Sequence, residues 1–304
     1  MIERALVTGA TGFIGRHLLP KLRRPMVLAR DPEGGKRSLG DVTVHRWSLE
    51  EAPPAEAFDG IDVVFHLAGG PVAEGRWTAE KKRRIRESRA AGTRLLVQCL
   101  ERLPRRPRVL VSGSAVGFYG DRGDAELEES SPPGADFLAE VCVAWESEAR
   151  KAEALGMRVV LVRTGIVLGE GGALSQMLTP FRLGLGGRLG SGRQWMPWIH
   201  IDDEVGLLLH AAARSDLSGP MNAASPQPVT NADFTRTLGE VLRRPTFLPM
   251  PAFGLRTLFG AEKGEMLLAS QRAVPRVAQR TGYSFSYPTL KPALISILTP
   301  ARAS

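Results

Sequence analysis

Two cysteines, Cys99 and Cys142, are the chain's whole supply, and their separation matches no metal-ligand spacing. A disulfide framework or a cysteine-built metal site is therefore not expected, and a reducing cytoplasm is the expected compartment. Apolar runs of about eighteen residues are also missing, which removes the sequence basis for a membrane-spanning helix. The opening "MIERALVTGATGF" starts a strand almost at once, so no secretory leader is expected. Tyrosine is scarce: only Tyr119, Tyr283 and Tyr287 occur in 304 residues.

Positive charge is abundant, with 40 Lys and Arg against 32 Asp and Glu, a net +8. Such a balance attracts nucleic acid or a smaller anion. The densest runs are "EKKRRIRESR" (80–89) and "ERLPRRPR" (101–108). Ile85, Ser88, Gly92, Leu95, Cys99 and Leu103 recur at helical spacing, which turns the charges of the first run toward solvent. No aromatics interleave with them, so a small-molecule partner is expected and nucleic acid is not.

Short apolar strands alternate with helical stretches through the first two thirds. Strands are predicted at 4–8, 26–29, 42–47, 62–68, 108–114 and 158–164, and helices at 12–23, 78–103 and 137–155. Near-continuous apolar strands suit a parallel sheet covered on both faces. The fold class is therefore α/β, a doubly wound Rossmann sheet in residues 1–168. After Gly165 the texture turns to glycine-rich loops and scattered helices, so 169–304 reads as mainly a smaller substrate lobe, partly interleaved with the sheet. The terminal "TPARAS" reads as a frayed tail.

"VTGATGFIG" sets Gly9, Gly12 and Gly15 between the first strand and a helix. Gly9 permits a tight turn, Gly12 lets backbone approach a pyrophosphate, and Gly15 allows close helix–strand packing. Thr11, Phe13 and Ile14 complete the expected phosphate-facing segment. The second strand ends "VLARD". Arg30 there suits the 2′-phosphate of NADP(H), which is favoured over NAD(H); the alternative is Asp31 on the ribose of NAD.

With "TGATGFIG", "HLAG" (66–69), "VSGSAVGFYG" (111–120), "VRTGIVLG" (162–169) and "WIHIDD" (198–203) in order, the chain resembles the extended short-chain dehydrogenase/reductases. It is closer still to an atypical, epimerase-like branch called YfcH-like. That branch has patterns like "RWTAEKKRRIRESRAAGT", "PFRLGLGGRLGSGRQWMPWIHIDD" and a C-terminal "GEMLLASQRAVPRVAQRTGYSFSYP". The resemblance implies that Leu67, Ala68 and Gly69 line the cofactor ribose, and that Arg163 and Val167 pass its nicotinamide end. It implies a fifth-strand serine, Ser112 or Ser114, at the cofactor or the reacting oxygen, and homodimerisation through two long helices. Either serine alternatively satisfies local backbone.

Active members of that superfamily use a tyrosine and a lysine one helical turn apart, the lysine lowering the tyrosine pKa and holding the ribose. In "DFLAEVCVAWE" (136–146) those places hold Leu138 and Cys142. Leucine has no proton to give, and a thiol carries no fixed positive charge. Ser114 and Tyr119 are then the candidate catalytic residues. Glu140 is a second proton source to weigh against a solvated role, and Cys142 a nucleophile to weigh against a buried one. The leading expectation is an epimerase-like oxidoreductase; a non-catalytic NADP(H)-binding sensor is the alternative.

In the second lobe, "GLGGRLGSGRQWMPWIHIDD" (184–203) offers Arg193, Gln194 and Trp198 as substrate contacts, with a nucleotide-linked sugar as the class that the resemblance implies. Trp198 equally suits a strand core, and His200 reads as structural. Asn231 is the expected N-cap of "ADFTRTLGEVL". "GYSFSYPTLKPAL" reads as a short strand pair and a closing helix.

Overall fold

A computed structural model describes residues 4–40, 42–48, 51–72 and 74–299; the end of the expected tail, 300–304, lies outside them. The first half runs β1 (Ala5–Thr8), α1 (Phe13–Leu18), β2 (Met26–Ala29), α2 (Pro32–Leu39), β3 (Thr43–Arg46) and β4 (Val63–His66). It continues with α3 (Ala79–Arg86), a π-helical turn (Glu87–Ala91), α4 (Gly92–Arg102), β5 (Val109–Ala115), β6 (Glu126–Leu127), α5 (Phe137–Arg150) and β7 (Arg158–Thr164). The second half contains β8 (Ile166–Leu168), α6 (Gly172–Arg182), β9 (Trp195–Met196), β10 (Trp198–His200), α7 (Ile201–Ala213) and β11 (Gly219–Ala223). It ends with β12 (Val229–Thr230), α8 (Asn231–Leu242), α9 (Ala252–Phe259), α10 (Ala261–Leu268), β13 (Arg272–Ala273), α11 (Arg276–Arg280) and α12 (Leu290–Leu298).

Seven parallel strands form one sheet in the spatial order β11-β7-β5-β4-β1-β2-β3. Alternation within each strand serves two cores. Val7, Val111 and Val162 face Leu18 of α1 and Val205 and Leu208 of α7. Leu6, Val64, Leu110 and Leu161 face Leu96 and Leu100 of α4 and Ala149 of α5. Burial on both faces is why these strands read as continuous apolar runs. The edge strand β11 and helix α7, which packs on the sheet, come from the second half of the chain.

Several helices differ in detail from their expected form. The 78–103 stretch is broken by the π-turn, which shifts the helical register by one residue. The first helix ends at Leu18 and tightens into a 3₁₀ turn through Pro20. Thr230, not Asn231, caps α8, accepting from the Asp233 N–H at 3.2 Å. Asn231 is instead buried and accepts from Leu189 N–H (2.7 Å), which pins the glycine-rich loop. The strand pair expected near 282–288 does not form. The Ser286 and Tyr287 N–H groups go to the Asp203 carboxylate at 2.8 and 2.9 Å, and the Tyr283 hydroxyl donates to it at 3.1 Å. The C-terminal segment is thereby tied to the first turn of α7. Burial and that carboxylate push the Tyr283 pKa strongly up.

Candidate functional site

β1, β2, β4 and β5 run parallel, so their C-terminal ends share one edge of the sheet, the edge at which such sheets hold ligands in a crevice. Gly9 turns with φ 71°, and a Cβ on it would stand 2.7 Å from the Leu67 carbonyl carbon. A Cβ on Gly15 would stand 2.4 Å from Gly9 O. Glycine is thus required twice, by backbone against backbone. Gly12 caps α1 without a side-chain hydrogen bond, which leaves first-turn N–H groups for an anion. These residues suit a pyrophosphate. Gly9→Ala is expected to abolish dinucleotide binding, measured by fluorescence titration, because the turn must shift off β4.

A buried polar relay stiffens this turn. The Thr8 hydroxyl accepts from Ala68 N–H (3.2 Å) and faces His66 Nδ1 at 2.8 Å. His66 Nε2 meets the Thr93 hydroxyl at 2.9 Å, and Thr93 donates to Arg89 O at 2.6 Å. Donor counting puts the imidazole proton on Nε2. Burial drops the His66 pKa to about 4, so the ring is neutral.

At the end of β2, Arg30 is exposed, whereas the Asp31 carboxylate accepts from Gly34 N–H (3.0 Å) and caps α2. One oxygen of the Asp31 carboxylate is thus committed to the cap of α2. Leu67 and Ala68 lie beside Gly9 and Gly69 lies against Arg89, with Thr11, Gly12, Phe13 and Ile14 at least partly exposed. Ser112, Arg163 and Val167 sit deeper: Ser112 donates to Gly113 O and Val167 packs in the α1/α7 core.

Ser114 and Tyr119 belong to one buried network. Ser114 Oγ donates to Glu146 Oε1 at 2.7 Å. Arg163 grips the same carboxylate with two bonds, 2.8 and 2.9 Å, both side chains being almost fully buried. Arg163 Nη1 also donates to the Tyr119 hydroxyl (3.1 Å) and to Glu129 O (3.0 Å). Tyr119 in turn donates to Asn222 Oδ1 at 2.6 Å, and the Asn222 amide donates to Leu127 O and Val274 O. Burial pushes the Tyr119 pKa up to about 12, and its hydroxyl faces this network.

Helix α5 contains neither tyrosine nor lysine. Leu138 packs toward Gly117 of the turn after β5. Cys142 is buried, and burial with the Glu146 charge pushes its thiol up to about 12, which rules against a thiolate nucleophile at neutral pH. Glu140 is exposed and paired with Arg86 at 2.8 Å, the solvated role. Other basic side chains of the 80–108 region are also paired: Lys82 with Glu262, Arg94 with Glu148, and Arg105 with Asp62.

In the lobe, Arg193 and Gln194 line a cleft of about 380 Å³ together with Asp121, Asp124, Ser191 and Ser270. Arg193 is exposed there, while Gln194 is buried and donates to Leu189 O at 3.0 Å. Trp198 is wholly buried in the lobe core and donates its indole N–H to Gln227 O, so its side chain does not reach that cleft. His200 caps α7 and stacks on Tyr287 at 3.8 Å, the structural role expected of it.

Sequence reasoning missed four members of this arrangement: Arg89, Glu146, Asp203 and Asn222. Arg89 carried a signal, lying four residues after Ile85 and three before Gly92, on the apolar side of a helix otherwise read as charged. The others had none, because their partners are distant along the chain.

Residues 5–224 match the NAD dependent epimerase/dehydratase family, and residues 250–297 match a domain of unknown function, DUF1731. A chloroplastic homologue of the epimerase family protein SDR39U1 from Arabidopsis thaliana is 39% identical, over 96% of this chain and 86% of that protein. The crystal structure of human SDR39U1 (isoform 2) with NADPH is 35% identical, covers 97% of this chain and 98% of its own, and superposes with a TM-score of 0.87. A nucleoside-diphosphate sugar epimerase structure from Corynebacterium glutamicum is 32% identical with a TM-score of 0.72, covering 98% of this chain and 58% of that one. Among the described residues no helix is long and apolar enough to cross a membrane. This chain belongs to the NAD dependent epimerase/dehydratase family.

Proposed function

We propose that the protein is an NADP(H)-binding, epimerase-like oxidoreductase acting on a small substrate, with a nucleotide-linked sugar as the first class to test. The observation that carries the cofactor preference is the division of labour after β2: Asp31 caps α2 while Arg30 stands exposed at the end of that strand. A guanidinium suits a 2′-phosphate, and a carboxylate there would repel it. The human relative was crystallised with NADPH, and the Corynebacterium relative is called a sugar epimerase.

When bound, NADP(H) supplies a hydride donor or acceptor. Gly9, Gly12 and Gly15 would hold its pyrophosphate, Arg30 its 2′-phosphate, and Leu67–Gly69 would border the ribose. Ser114, whose own proton goes to Glu146, is proposed to accept a hydrogen bond from a substrate hydroxyl at the reacting carbon; Tyr119, through Arg163, keeps that carboxylate in place. Arg193 and Gln194 would contact the distal part of the substrate. A homodimer through the long helices accompanies this reading.

The absence of tyrosine and lysine from α5 favours a second reading, a non-catalytic NADP(H) sensor. Transfer of deuterium from labelled NADPH to a panel of nucleotide-sugar ketones and simple carbonyls separates the two. Label in product supports the enzyme; tight cofactor binding with no transfer supports the sensor. For the cofactor, Arg30→Ser is expected to weaken NADPH about tenfold or more and leave NADH within about twofold, by titration of protein fluorescence. Equal effects on both nucleotides would remove Arg30 from the 2′-phosphate.

A further inference from the structure

Arg89 is a cation at the end of β4, against Gly69 and Gly70. It leaves the π-helical turn, a local irregularity that often marks functional positions. Its own carbonyl is pinned by Thr93, the end of the relay that reaches β1. Nη1 donates to Gly70 O at 3.0 Å and Ile85 O at 3.3 Å. The flat of the guanidinium lies along Gly69: a Cβ there would stand 3.1 Å from Cζ and 3.2 Å from Nη2. On its other side Cζ is 5.2 Å from the Trp145 ring. The charge therefore sits between the end of β4 and the buried face of α5, beside Cys142, the titratable group that acts on it.

Its electrostatic setting is unlike that of its neighbours. Arg86, Arg94 and Arg163 each face a carboxylate. Arg89 is half-buried, its pKa is lowered by burial, and among the described residues no carboxylate shifts it. Carbonyl oxygens only partly replace lost water around a guanidinium, so a cation held this way has capacity for further acceptors.

We infer that Arg89 supplies the positive charge that α5 lacks at Cys142, presenting its guanidinium to the vicinal hydroxyls of the cofactor's nicotinamide ribose. The inference rests on the NADP(H) reading above. Cys142 serves it by being small: a long side chain at that position would contend for the space that the guanidinium occupies. The task that a helix residue would perform from α5 is done from the neighbouring π-turn, which packs against that helix.

The test uses two probes. NADPH carries the nicotinamide ribose, whereas adenosine 2′,5′-bisphosphate carries the adenosine 2′-phosphate and lacks that ribose. Arg89→Met is expected to weaken NADPH about tenfold or more while leaving the bisphosphate within about twofold, by calorimetric titration. Arg89→Lys, which keeps the charge, should recover most of the NADPH affinity, and thermal unfolding of both variants should stay near wild type. Equal loss for both probes, or no loss for either, overturns the assignment and leaves the NADP(H) reading standing. Wild-type protein that binds neither probe overturns both.

Discussion

Replacing Glu146 with glutamine should destabilise the protein by about 3–5 kcal/mol, because it leaves the Arg163 guanidinium buried without its counter-charge. Both side chains are almost wholly buried, at 4% and 5% exposure, and the pair is bidentate. Arg163 also holds the Tyr119 hydroxyl, and Tyr119 holds Asn222, which ties β11 to the chain near Val274. Loss of the carboxylate should therefore loosen contacts made by three separate stretches of chain. Urea unfolding followed by tryptophan fluorescence measures the effect. The double replacement Glu146→Leu with Arg163→Met removes both charges and should recover part of the loss, since the desolvation cost disappears with the attraction. A loss under about 1 kcal/mol in Glu146→Gln would show that water reaches the pair and that the network is not a structural unit.

Glu204 should make the protein less stable as pH rises through the neutral range. Its side chain is fully buried behind the end of β7; Thr164 donates to Oε1 at 2.8 Å, and Oε2 has no hydrogen-bond partner. Burial raises its pKa to about 8, well above that of a solvated carboxyl group. The folded state thus binds the proton more tightly than the unfolded state. The resulting stabilisation is fully present below the unfolded pKa of about 4.3 and is lost as pH rises through about 8, with a slope of about 1.4 kcal/mol per unit between them. Glu204→Gln keeps the shape and cannot ionise. Its unfolding free energy, measured from pH 5 to pH 9 relative to wild type, should gain steadily from pH 5 up to about 8 and level off above it. Parallel pH profiles for the two proteins would show that Glu204 is ionised in the folded state.

The elements that could be read in advance are those whose causes are local. Strands β1, β4, β5 and β7 are apolar runs because both faces are covered, and that pattern is visible without knowing what covers them. The glycine turn was legible because Gly9, Gly12 and Gly15 stand at fixed spacing between a strand and a helix. Arg30 and Asp31 are both candidates in the sequence, and the cap that Asp31 makes three residues on, at Gly34, becomes visible only in the structure. Ser114 and Tyr119 were singled out as crevice hydroxyls; their partners lie 32 and 103 residues away, and those partners turn both toward the interior. Arg89 disappeared into a basic run whose neighbours are paired at the surface.

What the amino-acid order determined by itself was the doubly wound sheet, the glycine turn and the lack of tyrosine and lysine on α5, because periodicity, glycine spacing and residue identity act over a few neighbours. What only the tertiary structure decided was which polar groups meet: Glu146 with Arg163, Asp203 with the C-terminal segment, Arg89 with the end of β4. Such pairings depend on which distant elements share a wall of the crevice, and burial then converts proximity into large shifts of charge and stability.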